Sequence, residues 1–259
     1  MNDNHFEIKE PVVFTYYHPL EDLNLEHISQ DSKDRLLRRD KNEIKILTYN
    51  IFMRPPLVKN NENDWKDERL SDFLNQITNY DIICLQEMFG SFNSRKQMFI
   101  RAASLAGFFF YVDTNSPSFI SKYMVDGGLL IISRFPIVET SYLQFRYGVV
   151  ADSLAEKGII YTKIKIKNSS LHLFTTHLQA SYFDSTEANF LISFETRMAQ
   201  IKQINHMMIE ILKTHYNKKK DKILLVGDLN VDALEYKHSK LTVIIIQILK
   251  KYINKYLVF

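Results

Sequence analysis

The sequence predicts an α/β sandwich in which helices cover sheets. Three observations predict it. Short alternating or fully apolar runs read as strands, amphipathic helical stretches fall between them, and two adjacent runs form a hairpin. No internal repeat or linker interrupts the series. One domain is therefore expected over 44–236, after a lead-in of unassigned role at 1–43 and before an atypical tail at 237–259. A chain of 259 residues is long enough to bury a sizeable core in one such domain.

The elements follow in order. "IKILTYNIF" from Ile44 alternates apolar and polar positions, the mark of a strand. "WKDERLSDFLNQITN" places Leu70, Phe73, Leu74 and Ile77 at helical spacing. "DIICLQE" is a short apolar strand, "SRKQMFIRAASLAG" a second amphipathic helix stopped by Gly107, and "FFFYV" another strand. "GGLLIISRFPI" is a strand entered through glycines and ended before Pro136. "KGIIYTKIKIKNSSLHLFTTHLQA" reads as the hairpin, turning at Asn168-Ser169-Ser170. A long helix is expected over roughly 187–216, with Ile201, Ile204, Met208 and Ile211 on one face, and "DKILLVGDLN" is the last strand.

Composition excludes several classes. Hydrophobic residues at 46% and charged residues at 24% argue against disorder, and a net charge of +3 is too mild to demand a nucleic-acid partner. The single cysteine, Cys84, rules out an intrachain disulfide, and its setting among Ile82, Ile83 and Leu85 marks a buried strand residue, not a nucleophile. No apolar segment of a signal peptide follows the polar start, and "VIIIQIL" is too short to span a bilayer. The expected location is cytoplasmic, with membranes met only from outside. "SFISKYM" at 118–124 combines aromatics with a lysine, either as a membrane-contact loop or as a loop packed on its own domain.

Chemistry concentrates at strand ends, where the strand fixes a side chain and the following loop exposes it. Four ends carry polar groups: Asn50, Glu87, His177, and Asp228 with Asn230. Each alone has a plain structural explanation as a cap, a surface histidine or a turn. Together they form a kit. Asn50 and Glu87 offer hard oxygen ligands suited to Mg²⁺ and not to Zn²⁺. His177 and Asn230 can hold a phosphate oxygen, and Asp228 can orient the site or supply a proton to a leaving group. Such a set suits hydrolysis of a phosphodiester with water and one metal ion.

In chain order, "LTYNIF" at 47–52, "LQE" at 85–87, "GGLLIISRFPI" at 127–137, "TTHLQA" at 175–180 and "GDLN" at 227–230 resemble the motif series of the endonuclease/exonuclease/phosphatase superfamily. "YNIFMRPP", "THLQASY" and "ADSLAEKGIIYTKI" at 151–164 resemble its neutral sphingomyelinase branch. The resemblance covers roughly 44–236. It implies a DNase I-like four-layer α/β sandwich, two packed mixed sheets flanked by helices. It also implies a Mg²⁺-dependent hydrolase that splits sphingomyelin, or a related sphingophospholipid, into ceramide and a phosphorylated headgroup. The implied partner is a phospholipid at a membrane surface. No nucleic acid is expected, and the sequence identifies no protein partner.

By resemblance, Glu87 is the principal Mg²⁺ ligand with Asn50 close by. His177 and Asn230 hold the scissile phosphate, and Asp228 orients the site or assists departure of the ceramide oxygen. Asp152 and Lys157, in an Asp-x-x-x-x-Lys-Gly arrangement, lie on a loop that governs competence; the alternative is an exposed ion pair of little consequence. The sequence departs from the family after Asn230. The Ser-Asp-His segment that carries the family's general base has no counterpart, and His238 in "YKHSK" lacks a preceding Asp. The reading expects a truncated or altered C-terminus and an incomplete second sheet over a genuine C-terminal helix. Two alternatives to the lipid phosphodiesterase stay open: a nuclease or phosphoinositide phosphatase of the same fold, and a catalytically dead lipid-binding fragment.

Overall fold

The computed structural model describes residues 43–231, apart from Leu57, 59–63, 115–116, 118–120 and 182–186. The lead-in, the first part of "SFISKYM" and the tail with His238 therefore lie outside the described residues.

Each strand of the core is built on a two-residue alternation that serves two layers at once. In β2 (Ile82–Met88), Ile82 and Cys84 face the opposite sheet while Ile83 and Leu85 face helices. A strand covered on both faces must be apolar throughout, which is why "IICL" has no polar break. Beside it run β1 (Ile46–Met53), parallel, and β4 (Leu130–Ser133), antiparallel, with β3 (Phe110–Asp113) beyond, giving the order β1-β2-β4-β3. Helices α1 (Lys66–Gln76) and α2 (Arg95–Leu105) cover this sheet through Leu70, Phe99, Ile100 and Ala103.

The second sheet has the order β5-β6-β7-β8. Its strands are β5 (Ile137–Gln144), β6 (Gly158–Ile166), β7 (Ser169–His177) and β8 (Lys222–Asp228). The first three pair antiparallel and β8 joins β7 in parallel. The expected hairpin is β6–β7. Helix α3 (Glu187–His215) packs Ile201, Ile204, Met207, Met208 and Ile211 onto Ile159, Tyr161 and Phe174. Each fully buried aliphatic side chain there contributes about 1.5–3 kcal/mol. Between the sheets, Ile82, Cys84, Leu129 and Ile131 meet Ile160, Ile164, Leu171 and Leu173. The layers are thus helix, sheet, sheet, helix, as the sequence led one to expect. Burial drives the Cys84 thiol up to about 12, and it is no nucleophile.

Strand β5 was not foreseen. "IVETSYLQ" mixes polar and apolar positions without a clear period, and its pairing with β6 decides it. Among the described residues the second sheet ends at β8, and no helix is long and apolar enough to cross a membrane.

Candidate active site

Parallel pairs β1–β2 and β7–β8 lie at facing edges of the two sheets, so their C-terminal ends converge. In register, Asn50 pairs with Gln86 and His177 with Asp228. A cleft of about 400 Å³ opens there, lined in part by Thr48, Asn50, Gln86, Asp228 and Asn230.

Asn50 bridges the sheets. Its Nδ2 donates to Glu87 Oε1 at 3.0 Å and to Asp228 Oδ2 at 2.9 Å. Its Oδ1 accepts the Phe52 N–H at 3.1 Å, where a bulge in β1 and the left-handed φ of 53° at Phe52 turn the chain. In this arrangement Asn50 presents nitrogen to the two carboxylates. It would have to rotate its amide to serve as an oxygen ligand.

Glu87 is held at φ 56°, a conformation that costs a non-glycine residue of order 1 kcal/mol or more. The glycines foreseen at the entry to β4 have a specific use here. Gly128 approaches so closely that a Cβ on it would lie 3.1 Å from the Glu87 Cα. Behind Glu87, Asp126 accepts the N–H groups of Gly90, Ser91 and Gly128, and buried Lys96 reaches Asp126, Asp113 and the Thr114 carbonyl. This network fixes the exit of β2.

The Asp-x-Asn turn closes the other side. Asp228 Oδ1 accepts the Asn230 N–H at 2.9 Å, and Asn230 Nδ2 donates to the Leu178 carbonyl at 2.8 Å. Asn230 also sits at a positive φ, 52°. His177 is buried, its Nε2 3.8 Å from Asp228 Oδ2 and 3.3 Å from Lys157 Nζ. Since an ammonium only donates, Nε2 accepts and the ring proton rests on Nδ1, which has no partner among the described residues. Burial, then the charges of Lys157 and Arg54, pushes the His177 pKa well below the usual imidazole value, so the ring is neutral.

Lys157 and Asp152 are 2.8 Å apart and both largely buried, so the exposed-pair alternative does not hold. Lys157 also donates to the Leu178 carbonyl, and Asp152 accepts the Ala180 N–H. The pair thus ties the 3₁₀ turn Val150–Leu154 to the loop that follows His177. All seven residues expected from the sequence are therefore gathered around one cleft and its wall.

Arg54 was missed. Its Nε donates to Glu87 Oε2 at 2.5 Å and its Nη2 to Oε1 at 3.4 Å. The signal was present in "YNIFMRPP", where a lone charge sits between apolar Met53 and two prolines.

A profile described as the Endonuclease/Exonuclease/phosphatase family matches residues 47–242. The chain belongs to this family. A sphingomyelinase of Dictyostelium discoideum is 30% identical over 73% of this chain and 64% of its own length. Sphingomyelinase C of Bacillus cereus is 28% identical over 76% of this chain and 60% of its own. The chain therefore spans about three-fifths of the length of these curated relatives. β toxin from Staphylococcus aureus, in a crystal structure with bound magnesium ions, superposes with a TM-score of 0.65 at 22% identity, over 82% of this chain and 71% of the toxin. The likeness establishes the DNase I-like fold, and the relatives fall in the branch that the sequence motifs resemble.

The donor set can be weighed against Mg²⁺ directly. Among the described residues no cluster of three or more His, Cys, Asp or Glu side chains could cage a metal. Magnesium does not need one, since it binds through one or two carboxylates and retains water. Glu87, held by Asn50, offers one such carboxylate, and it already draws a cationic side chain. The residues present fit the ion.

Proposed function

We propose that this protein is a Mg²⁺-dependent phosphodiesterase that hydrolyses sphingomyelin, or a related sphingophospholipid, to ceramide and a phosphorylated headgroup. One observation carries the reading: strand ends from two sheets bring Asn50, Glu87, His177, Asp228 and Asn230 to a single cleft. The names of the sphingomyelinase relatives support the lipid substrate over a nucleic acid.

Glu87 holds the ion, with Asn50 beside it. When bound, Mg²⁺ polarises a phosphoryl oxygen and neutralises developing charge. Neutral His177 stands on the phosphate side of the cleft without adding a competing cation, and Asn230 offers a phosphate oxygen an uncharged donor. Asp228, 3.8 Å from His177, orients this side and assists the departing ceramide oxygen. Lys157 and Asp152 keep His177 in place, and the loop bearing Asp152 governs whether the cleft is competent.

Headgroup release from sphingomyelin vesicles, with and without Mg²⁺, tests the reading. Glu87→Ala should lower metal-dependent turnover by about 10²–10³-fold. Undiminished turnover would sink the assignment, and faster cleavage of abasic DNA or a phosphoinositide would replace the substrate. Vesicle binding without headgroup release would favour the lipid-binding alternative.

A further inference from the structure

Exposed apolar side chains gather at the cleft end of the sandwich. Strands β1 and β2 both run towards the cleft, so α1 and α2, which follow them, begin at that end. β4 is antiparallel to β2 and β6 to β7, so the segments leading into β4 and β6 lie there as well. The end of β1 and these connections carry Phe52, Trp65, Phe92, Met124, Val150 and Leu154, which are 38% to 75% exposed. Hydrogen bonds knit the connections together. Arg69 donates to the Phe52 carbonyl, and Arg95, three residues after Phe92, donates to Asp67, two after Trp65. The Ser91 N–H donates to Asp126, and the Met124 N–H to the Leu154 carbonyl.

The backbone presents four of these side chains at a cost. Phe52, Trp65, Phe92 and Val150 hold left-handed φ angles of 53°, 44°, 62° and 55°. Bulky and β-branched residues rarely adopt that conformation, and it persists only where the surrounding fold imposes it. None of the four gains full burial in return. The other left-handed non-glycine residues among those described are Glu87 and Asn230 in the site and Lys167 in the β6–β7 turn.

Charge separates the two ends of the molecule. Lys167, Lys218, Lys219, Lys220 and Lys222 stand exposed where β7 and β8 begin, at the end away from the cleft. The exposed charges on the rim have both signs, with Asp67 and Glu68 beside Trp65 and Lys122 beside Met124. An anionic leaflet would draw the lysine end and turn the cleft away from the lipid. A zwitterionic leaflet exerts no such pull and rewards burial of the apolar rim.

We infer that this rim seats the mouth of the cleft on a zwitterionic phospholipid bilayer, with Trp65 and Phe92 entering its interface. An aromatic ring suits that position, because it buries apolar area in a layer that is still partly wet. The inference rests on the proposed function only in taking a bilayer lipid as the substrate.

Trp65 is the only tryptophan of the chain, so its emission reports on the rim directly. Sphingomyelin–phosphatidylcholine vesicles added to the 259-residue chain without Mg²⁺ should shift that emission to the blue and shield it from acrylamide, at low and high salt alike. Phe92→Ser should bind these vesicles about tenfold more weakly. Leu105→Ser, 56% exposed at the far end of α2, should bind as the unaltered chain does. Equal losses in the two variants overturn the inference, and so does vesicle binding that leaves Trp65 emission unchanged. Binding that needs phosphatidylserine and vanishes at high salt gives docking to the lysine end and also overturns it. A dimer that Phe92→Ser dissociates in sedimentation would give the rim to a second copy of the chain instead. Monomeric short-chain sphingomyelin separates the two levels. If the chain cleaves it but does not dock on vesicles, only the role of the rim falls. If the chain docks through the rim and cleaves neither substrate, the proposed function falls and the docking surface stands.

Discussion

Glu87 and Asn230 both hold left-handed backbone angles, and both face the cleft. Such conformations persist only where surrounding structure over-determines them, and here the hydrogen bonds of Asn50, Arg54 and Leu178 do so. Gly227 is the residue on which the Asp-x-Asn side depends most. Its φ is 136°, and a Cβ there would lie 2.0 Å from the Thr176 carbonyl oxygen and 2.8 Å from the Thr176 nitrogen. Strand β8 presses onto β7 so closely that only glycine fits immediately before Asp228. Gly227→Ala should cost about 3 kcal/mol or more in urea unfolding and move Asp228 away from His177. A loss below about 0.5 kcal/mol would show that the two strands do not hold this register rigidly.

At the scale of elements, α2 is joined to the sheet by a charge as well as by its apolar face. Lys96 is buried in its first turn and meets Asp113 at the end of β3, Asp126 before β4 and the Thr114 carbonyl. Burial raises the Asp113 pKa above its usual value, against the opposing pull of Lys96. Removing the ammonium would leave two buried carboxylates with no cation between them. Lys96→Met should therefore destabilise by about 3–5 kcal/mol, more than loss of its methylene packing alone would explain. Adding Asp126→Asn to Lys96→Met should cost less than the two single losses summed, because the second change removes a charge stranded by the first. Strict additivity in denaturant unfolding would show that the ion pair is not coupled.

The whole molecule carries a second buried polar chain at the opposite end of β7 and β8 from the cleft. Tyr161 meets His172 Nδ1 at 2.9 Å, and His172 Nε2 lies 3.3 Å from Asp221. Burial pushes the His172 pKa below its ordinary 6.5, although Asp221 opposes it. Burial also raises Asp221, but the Asn217 and Ser170 N–H groups and His172 outweigh that and leave it below its ordinary 3.8. For a depressed histidine, the unfolded chain binds the proton first, so the stabilisation is complete above pH 6.5 and declines as pH falls below it. The Asp221 contribution is present above 3.8 and is lost as pH falls through its lower folded value. Thermal melts should therefore be nearly flat from pH 8 to 7 and decline from 6.5 downward, with a shallower decline in His172→Gln. A chain equally stable at pH 7 and pH 5 would contradict a neutral buried His172.

Asn50, Glu87, His177, Asp228 and Asn230 were legible in the sequence because each follows a run of apolar residues that sets a strand, and a strand fixes where its last side chain goes. The same local logic made α1, α2, α3 and the β6–β7 hairpin readable, and with them the layered α/β fold. Strand β5 was not readable, since its mixed pattern takes meaning only from the β6 partner. Nor was the burial of Lys157 with Asp152, or the grip of Arg54 on Glu87, which needs the bulge of β1 and a positive φ at Phe52. Asn50 and Asp228 stand 178 residues apart and touch only because two sheets pack face to face. By itself the sequence determined the elements and the side chains at their ends, because periodicity and turn chemistry act between near neighbours. The tertiary structure alone decided which of those ends meet and which charges lose water, because packing and desolvation depend on everything brought near at once.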